Sequence, residues 1–340
     1  MKNNIYIATA ADENYARGLL VMLASFLKTH ADRKEIISIV ILDGGLSDQT
    51  QSKIKKLPNE FNIKNKINFE FIVPDLSHLE HVPKLWGKSN LTLARLQIAE
   101  LVPEADYIYW IDSDFIINKP LPNLDCLEGK MIAACIEPHL ITLEQDFTEL
   151  EYPFGSREDI SKPYFNAGFM VINLKLWRQE KLGSIGTKAM CEHPKNFTWM
   201  DQSVINFFAA DKISILDSSY NHNLHTMDSN IYLEKHWQNC NLHLTGELKP
   251  WAICRSQRRV FYQHLVFLIL EEYFFERDNQ LELSYLENIP KANFTEMIVG
   301  YMKLSVSFIF NRKSYRKKQS YYESKVECKK KIKSLREKLY

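Results

Sequence analysis

Residues 107–114 read Tyr-Ile-Tyr-Trp-Ile-Asp-Ser-Asp, an apolar run that ends in two aspartates separated by one residue. The apolar part has the aromatic and β-branched content of a buried strand. Two carboxylates at the end of such a strand can share one hard divalent cation, and that cation can carry a diphosphate. The spacing alone is weak evidence, because two solvated turn aspartates after a strand would look the same.

The segments before this run alternate between strand and helix patterns. Continuous or alternating apolar runs predict strands at 5–11, 37–42 and 67–73. Apolar residues at helical spacing predict helices over 15–29 and from Ser89 to about Leu101, and Ser47 is predicted to cap a polar helix between them. This alternation is typical of an α/β fold with a mainly parallel sheet and right-handed crossovers.

Later segments extend the same pattern. They predict strands at 131–136, 168–174 and 213–216 and a helix over 200–209. Ligands of such a sheet bind outside the carboxyl ends of its strands. Asp12 and the pair Asp112 and Asp114 fall at such ends, so the pattern predicts a ligand site there.

Composition indicates a globular protein. The chain has 340 residues and 45% hydrophobic content, which is enough to bury a full core. Six cysteines without any C-x-x-C pair argue against a zinc site and a disulfide framework, and favour the cytoplasm. The apolar run near the N-terminus is too short for a signal peptide, and Lys303 interrupts the late apolar run at 297–310, so no membrane-spanning segment is predicted.

Positive charge is concentrated at one end of the chain. Residues 311–340 hold twelve Lys and Arg against three Glu, a charge of +9, although the whole chain carries only +1. Tyrosines are interspersed among these basic residues, which suits the interface of an anionic membrane leaflet. Nucleic-acid binding and a merely solvated helix are the alternative interpretations of this tail.

Six short segments occur in one order along the chain and together carry a resemblance. They are Ala10–Tyr15, Ala94–Leu96, Tyr107–Asp114, Tyr164–Leu174, Met200–Gln202 and His243–Trp251. Over residues 4–255 the chain resembles glycosyltransferase family 8, and most closely the bacterial lipopolysaccharide and lipo-oligosaccharide α-galactosyl- and α-glucosyltransferases. The resemblance implies a GT-A (Rossmann-like) fold, a UDP-galactose or UDP-glucose donor, Mn²⁺, and retention of the anomeric configuration.

The resemblance implies that Asp112, Asp114 and His243 are the metal ligands. Two carboxylates and one imidazole form a mixed oxygen and nitrogen set suited to Mn²⁺, with Mg²⁺ a poorer substitute. The metal would neutralise the charge that develops on the departing UDP. Without the resemblance, a strand-end histidine packed against Trp251 would be the simpler interpretation of His243.

The resemblance also implies residues that bind the nucleotide and diphosphate. Asp12 and Asn14 match positions that bind uridine, and helix capping is their alternative role. Lys249 and the backbone of Gly246 match a diphosphate clamp, although a lysine before Pro-Trp can also be an ordinary surface charge. Ala10 and Ser113 complete this part of the predicted donor site.

Four further residues match the donor-sugar pocket of the family, namely Arg95, Asn166, Asp201 and Gln202. Locally, Arg95 would read as a helix-surface residue and Asp201 as a helix cap. Gln202 matches the side chain nearest the anomeric carbon, and its amide oxygen is a poor nucleophile. Gln202 and Asp201 are therefore the candidate catalytic residues, with same-face attack favoured and covalent participation of Asp201 left open.

The resemblance divides the chain at residue 257. Residues 1–257 are predicted to form the catalytic domain, and residues 258–340 a helical, aromatic and basic region that associates with a membrane. The predicted partners are a UDP-hexose, a lipid-linked oligosaccharide acceptor and an anionic membrane surface contacted by residues 311–340, with no nucleic acid. The predicted location is the cytoplasm, peripheral on the inner face of the bacterial cytoplasmic membrane.

Two other functions compete with this interpretation. A phosphatase of the haloacid dehalogenase type also places Asp-x-Asp after a strand, but after the first one, and here three predicted strands precede it. A catalytically inert protein that binds a nucleotide sugar or a membrane would keep the same fold. The second alternative stays open from the sequence.

Overall fold

The chain divides into two compact units, described here from a computed structural model. The structure describes residues 4–63, 66–84, 89–139, 142–143, 146, 162–224, 239–246, 249–252 and 262–275. The first unit contains Met1–Leu224 and Tyr232–Thr245, and the second contains His225–Ile231 and Gly246–Tyr340.

Within the described residues, the strands of the first unit form one large and one small sheet. They are β1 (Asn4–Ala11), β2 (Ile36–Asp43), β3 (Ile67–Ile72), β4 (Tyr107–Ile111), β5 (Phe115–Ile116), β6 (Ile132–Ile136), β7 (Phe165–Asn173), β8 (Ile213–Ile215), β9 (His222–Asn223) and β10 (Leu242–His243). The large sheet has the order β3-β2-β1-β4-β7-β6-β8, and the small one has the order β5-β10-β9.

The direction of β7 decides which residues meet at the edge of the large sheet. All neighbouring strands in this sheet are parallel except β7, which runs antiparallel to β4 and to β6. The start of β7 therefore lies at the edge where β4 ends. The predicted α/β fold with a mainly parallel sheet is confirmed.

Helices cover the sheet and complete one buried core. They are α1 (Ala16–Thr29), α2 (Asp48–Glu60), α3 (Ile98–Leu101), α4 (Leu174–Gln179), α5 (Leu182–Glu192) and α6 (Asp201–Ala209). Trp110 of β4, Trp177 of α4 and Val204 of α6 belong to the same cluster of buried side chains. Burial of such large apolar side chains is the main force that holds the helices on the sheet.

Most predicted elements are present, with two differences. The segment after Ser89 forms a 3₁₀ helix over Leu91–Gln97 before α3, and the Ser89 hydroxyl accepts the Leu91 N–H at 3.1 Å rather than capping a long α-helix. Strand β7 begins at Phe165 instead of Gly168. Asn and Gly weaken a strand pattern, but pairing with β6 and β4 keeps this stretch extended.

The described part of the second unit contains a short 3₁₀ turn, Pro250–Ala252, and the helix α7 (Tyr262–Phe275). The Trp251 and Phe267 rings pack with their centroids 5.2 Å apart. Among the described residues, no helix combines the length and apolar character needed to cross a bilayer. The predicted membrane-association segments at 297–310 and 311–340 lie outside the described residues, and the division at residue 257 stays a prediction.

Candidate metal centre and donor pocket

The small sheet brings a histidine to the two aspartates. Asp112 and Asp114 lie in the turn that joins β4 to β5. Strand β10 pairs antiparallel with β5, and the register places His243 opposite Phe115. The Leu244 N–H donates to the Asp114 carbonyl at 2.9 Å, which fixes the strand against the turn.

The three side chains direct their ligand atoms into one small volume. His243 Nε2 lies 3.3 Å from Asp114 Oδ1 and 4.0 Å from Asp112 Oδ2. One ligand atom from each side chain lies within 4.8 Å of the other two. Asp112 Oδ1 accepts hydrogen bonds from Arg95 Nη2 at 2.5 Å and from Trp110 Nε1 at 2.7 Å. The remaining oxygens and the imidazole nitrogen form a donor set that fits a divalent cation.

The His243 imidazole is held on several sides. It stacks on the Phe115 ring with the centroids 4.3 Å apart, and its Nδ1 lies 3.0 Å from Asn221 Oδ1. A Cβ atom at Gly168 would lie 2.3 Å from the His243 Cε1 atom. Glycine at this position is therefore required for the ring to keep its place, and the surrounding contacts fix the direction of Nε2.

A buried ion-pair network lies beside the metal ligands. Arg95 Nη1 donates to Asp201 Oδ2 at 2.5 Å while Nη2 donates to Asp112, and the guanidinium carbon lies 4.5 Å from the Trp110 ring centroid. Only 4% of Arg95 is exposed, so its interpretation as a helix-surface residue is wrong. Burial raises the pKa of Asp201 to about 6, although the Arg95 charge opposes this.

Asn166 and Gln202 have their amides bonded to protein groups. Asn166 Nδ2 donates to Glu137 Oε2 at 2.6 Å, and its Oδ1 accepts from Asn221 Nδ2 at 2.7 Å. Gln202 Oε1 accepts the Ala167 N–H at 3.0 Å. The amide oxygen of Gln202 thus accepts a backbone hydrogen bond in this structure.

The predicted uridine residues lie at the end of β1. Asp12 Oδ1 accepts the Tyr15 N–H at 3.1 Å and caps a short 3₁₀ turn, so its predicted capping role is confirmed. Asn14 is exposed and its Nδ2 donates to Asp12 Oδ2 at 3.3 Å. Ala10 is partly buried near the end of the strand, and Ser113 is buried in the turn between the two metal-site aspartates. A helix-capping bond and a uridine contact can coexist at Asp12.

Gly246 and Lys249 belong to the second unit. Gly246 has φ of 106°, a backbone conformation that residues with a Cβ rarely adopt. Lys249 is only 7% exposed, unlike an ordinary surface lysine. The positive φ of Gly246 and the burial of Lys249 are therefore features that the local sequence does not explain by itself.

Several side chains that hold the site were missed from the sequence. Alternation along β4 could have identified Trp110, because it lies two residues before Asp112 on the same side of the strand. Phe115 follows Asp114 directly, but its stacking on His243 depends on the pairing of β5 with β10. Glu137 and Asn221 carry no local signal, because only the pairing of distant strands brings them to the site.

Comparisons with known proteins agree with this architecture. The profile described as "Glycosyl transferase family 8" matches residues 6–254. General stress protein A of Bacillus subtilis is 23% identical over 73% of this chain and 87% of its own length. The lipopolysaccharide glucosyltransferase WaaO of Escherichia coli is 24% identical over 72% of each chain.

A solved structure shows the same fold. It is the galactosyltransferase LgtC in complex with donor and acceptor sugar analogues, which aligns with a TM-score of 0.61 and 21% identity over 82% of this chain and 99% of LgtC. The predicted GT-A fold is thereby confirmed. Because the family profile covers well over half of the chain, this protein belongs to glycosyltransferase family 8.

Proposed function

We propose that this glycosyltransferase is a retaining enzyme that moves galactose or glucose from a UDP-sugar to a lipopolysaccharide- or lipo-oligosaccharide-type glycan with Mn²⁺ bound. The observation that carries the proposal is the meeting of Asp112, Asp114 and His243 at the carboxyl edge of the sheet. The likeness to the lipopolysaccharide glucosyltransferase WaaO supports the class of acceptor.

Asp112, Asp114 and His243 would hold the metal ion. Carboxylate oxygens together with an imidazole nitrogen favour Mn²⁺ over Mg²⁺, which prefers oxygen ligands and releases water reluctantly. Bound Mn²⁺ would act as a Lewis acid toward the diphosphate of the donor. Arg95 supports this arrangement by bonding one Asp112 oxygen, so that the other faces His243.

The remaining donor contacts follow the chemistry of UDP. The Asp12 carboxylate would accept the uracil imide N–H, and the Asn14 amide would bind the base or the ribose. Ala10 and Ser113 would line the site between these residues and the metal. The Lys249 ammonium and the Gly246 N–H would bind diphosphate oxygens.

The contacts of Asp201 and Gln202 favour retention by same-face attack. Gln202 Oε1 accepts the Ala167 N–H and Asp201 Oδ2 pairs with Arg95, and each contact draws electron density away from the oxygen that would have to attack the anomeric carbon. In same-face attack, the acceptor hydroxyl bonds the anomeric carbon as the bond to the phosphate oxygen breaks, and that oxygen takes the hydroxyl proton. Asn166, Asp201 and Gln202 would orient the sugar hydroxyls.

We propose further that residues 1–257 form the catalytic domain and that residues 258–340 bind a membrane. The +9 charge of residues 311–340 supports attraction to an anionic surface, where a lipid-linked acceptor is held. This arrangement would place the enzyme in the cytoplasm, on the inner face of the bacterial cytoplasmic membrane.

Transfer assays test the proposal. The full-length protein is incubated with UDP-galactose or UDP-glucose, Mn²⁺ and bacterial lipo-oligosaccharide fragments, and the products are identified by mass spectrometry. We expect one hexose to be added, and Asp114→Asn to lower kcat/KM on the order of 100-fold because a charged ligand is lost.

Asp106→Asn is the matched control, because Asp106 precedes the other end of β4, is exposed, and its carboxylate pairs with Lys175 Nζ at 2.8 Å, away from the metal ligands. Its activity should stay close to that of the wild type. Full activity of Asp114→Asn at limiting Mn²⁺ would exclude the proposed metal site. Binding of UDP with Mn²⁺ but no transfer or hydrolysis of any donor would support an inert binding protein, and phosphate release from monoesters would support a phosphatase.

A further inference from the structure

A row of four buried side chains runs from the end of β6 to the candidate metal site. Glu137 Oε2 accepts from Asn166 Nδ2 at 2.6 Å, Asn166 Oδ1 accepts from Asn221 Nδ2 at 2.7 Å, and Asn221 Oδ1 lies 3.0 Å from His243 Nδ1. Each of the four residues is at most 7% exposed. Buried polar groups need hydrogen-bond partners, so each donor in this row must face an acceptor and each acceptor must face a donor.

Two neighbouring groups, the Gly168 N–H and the Glu137 carboxylate, determine which way the Asn166 side-chain amide points. The backbone N–H of Gly168 can only donate, and it bonds Asn166 Oδ1 at 2.9 Å. The Glu137 carboxylate offers oxygens to the other side of the amide. The oxygen of the Asn166 amide must therefore face Gly168, and its nitrogen must face Glu137.

This orientation determines which nitrogen of His243 carries the proton. The Asn166 oxygen also faces Asn221, so Asn221 must present its amide nitrogen there and its oxygen toward His243. An amide oxygen can only accept, and His243 Nδ1 must therefore carry a proton and donate it to Asn221 Oδ1. Because Nδ1 keeps its proton, Nε2 is the nitrogen that can offer a lone pair to a cation placed between the ring and Asp114 and Asp112.

We propose that Asn221 is a positioning residue that holds His243 in its metal-binding tautomer, and that Glu137 and Asn166 set the orientation of the Asn221 amide. The inference rests on the proposed function, because it takes His243 as a metal ligand. Groups behind a metal-binding histidine orient the ring and increase its basicity, and their loss commonly weakens metal binding about 10- to 100-fold.

The tautomer of His243 can be measured without metal and without turnover. In ¹⁵N-labelled full-length protein, long-range ¹H–¹⁵N spectra distinguish a protonated Nδ1 from a protonated Nε2, and a His243→Gln sample assigns the signals. We expect protonated Nδ1 in the wild type and loss of this preference in Asn221→Ala. A wild-type ring that carries no proton on Nδ1 would overturn the inference without the need for any other variant.

Mn²⁺ affinity gives a second readout, measured as free Mn²⁺ by electron paramagnetic resonance with UDP present. Asn221→Ala should raise the Kd about 10- to 100-fold. Asn221→Asp keeps an acceptor for Nδ1–H but loses the donor to Asn166 Oδ1, so it should keep the proton on Nδ1 and lose less affinity than Asn221→Ala. Asn173→Ala is the matched control, because Asn173 caps α4 at the opposite end of β7, where its Oδ1 accepts the Leu176 N–H at 3.2 Å.

The outcomes separate this inference from the proposed function. Wild-type protein that binds no Mn²⁺ with UDP would overturn the proposed metal site. Normal wild-type binding together with unchanged Kd and tautomer in Asn221→Ala would overturn only the positioning role. Equal loss in Asn221→Asp and Asn221→Ala of both the affinity and the proton on Nδ1 would also overturn it, because an acceptor at this position would then not hold the tautomer. If Asn221→Ala does not fold, Asn221→Asp and the wild-type tautomer remain decisive.

Discussion

At the scale of single residues, Gly168 sets the room available to the histidine of the candidate metal centre. A Cβ at this position would lie 2.3 Å from His243 Cε1 and 2.9 Å from Asn166 Oδ1, closer than atoms can approach. The imidazole cannot simply move away, because Phe115 stacks on it at 4.3 Å. We expect Gly168→Ala to weaken Mn²⁺ binding at least about 10-fold in titrations with UDP present.

A glycine in the helix layer provides the comparison. A Cβ at Gly186 in α5 would lie 2.6 Å from Val204 Cγ1, a similar steric conflict within apolar packing. Gly186→Ala should lower the free energy of unfolding by roughly 1–3 kcal/mol, because it overpacks the core, and should leave the Mn²⁺ Kd within about twofold of the wild-type value. Equal Mn²⁺ affinities in the two variants would contradict the role assigned to Gly168.

Prediction from the sequence worked for residues whose chemistry is visible locally. Asp112 and Asp114 follow an apolar run, so a strand ending in carboxylates could be recognised and its position at a sheet edge expected. Asn221 could not be recognised, because its significance depends on β10 pairing between β5 and β9. Local sequence does not encode which distant side chains a short strand will meet.

At the scale of elements, the start of α2 depends on a serine cap. Ser47 Oγ accepts the Thr50 N–H at 3.2 Å, and Glu13 accepts from both the N–H and the hydroxyl of Ser47. Removal of a cap that bonds an otherwise unpaired helix N–H typically costs about 1 kcal/mol. We expect Ser47→Ala to lower the free energy of unfolding by about 1–2 kcal/mol in urea denaturation.

Ser52 in the same helix is the control for this prediction. It is exposed in the interior of α2, so Ser52→Ala removes a hydroxyl without removing the cap. Because alanine favours helix more than serine does, Ser52→Ala should be neutral or slightly stabilising. A loss of stability of the same size in both variants would show that the cap bond does not contribute.

The elements that were predicted well are those with long patterns. The cap of α2 and the first three strands follow from turn residues and continuous apolar runs. The 3₁₀ helix Leu91–Gln97 was predicted only as part of a helix from Ser89 to about Leu101, because apolar spacing does not distinguish a 3₁₀ helix from an α-helix over two turns. Strands β5, β9 and β10 have two residues each, which is too short for any periodic signal.

At the scale of the whole molecule, His30 links stability to pH. The Leu121 N–H donates to His30 Nε2 at 3.0 Å, so Nδ1 carries the proton and donates to the Phe26 carbonyl at 2.8 Å. Burial lowers the pKa of His30 from 6.5 to about 4. Between these values the unfolded chain binds a proton that the folded protein does not, so stability falls as the pH falls from 6.5 toward 4.

The His30→Gln variant isolates this effect, because glutamine can accept the Leu121 N–H but does not titrate. The wild type should lose up to about 3 kcal/mol more than His30→Gln between pH 7 and pH 4 in urea denaturation series. The carboxylates contribute equally to both proteins and cancel in the difference. Parallel stability curves would contradict a neutral buried His30.

The basic tail, residues 311–340, is expected to determine where the protein resides. Each Lys or Arg near an anionic surface contributes on the order of 1 kcal/mol to binding, and the attraction weakens as salt screens it. We therefore expect deletion of residues 311–340, which carry +9, to abolish sedimentation with anionic phospholipid vesicles at physiological salt while transfer to a detached acceptor continues.

A charge-matched pair of variants separates the tail from charge in general. The first variant changes Lys329, Lys330 and Lys331 to Gln and removes three positive charges from the tail. The second changes Lys53, Lys55 and Lys56 to Gln and removes three positive charges from the exposed face of α2. Vesicle binding should fall steeply in the first variant and little in the second, since only the first removes charge from the proposed contact. Equal losses would indicate non-specific attraction. If the first variant and the truncated protein both bound vesicles as well as the wild type does, the membrane contact would lie elsewhere in the chain.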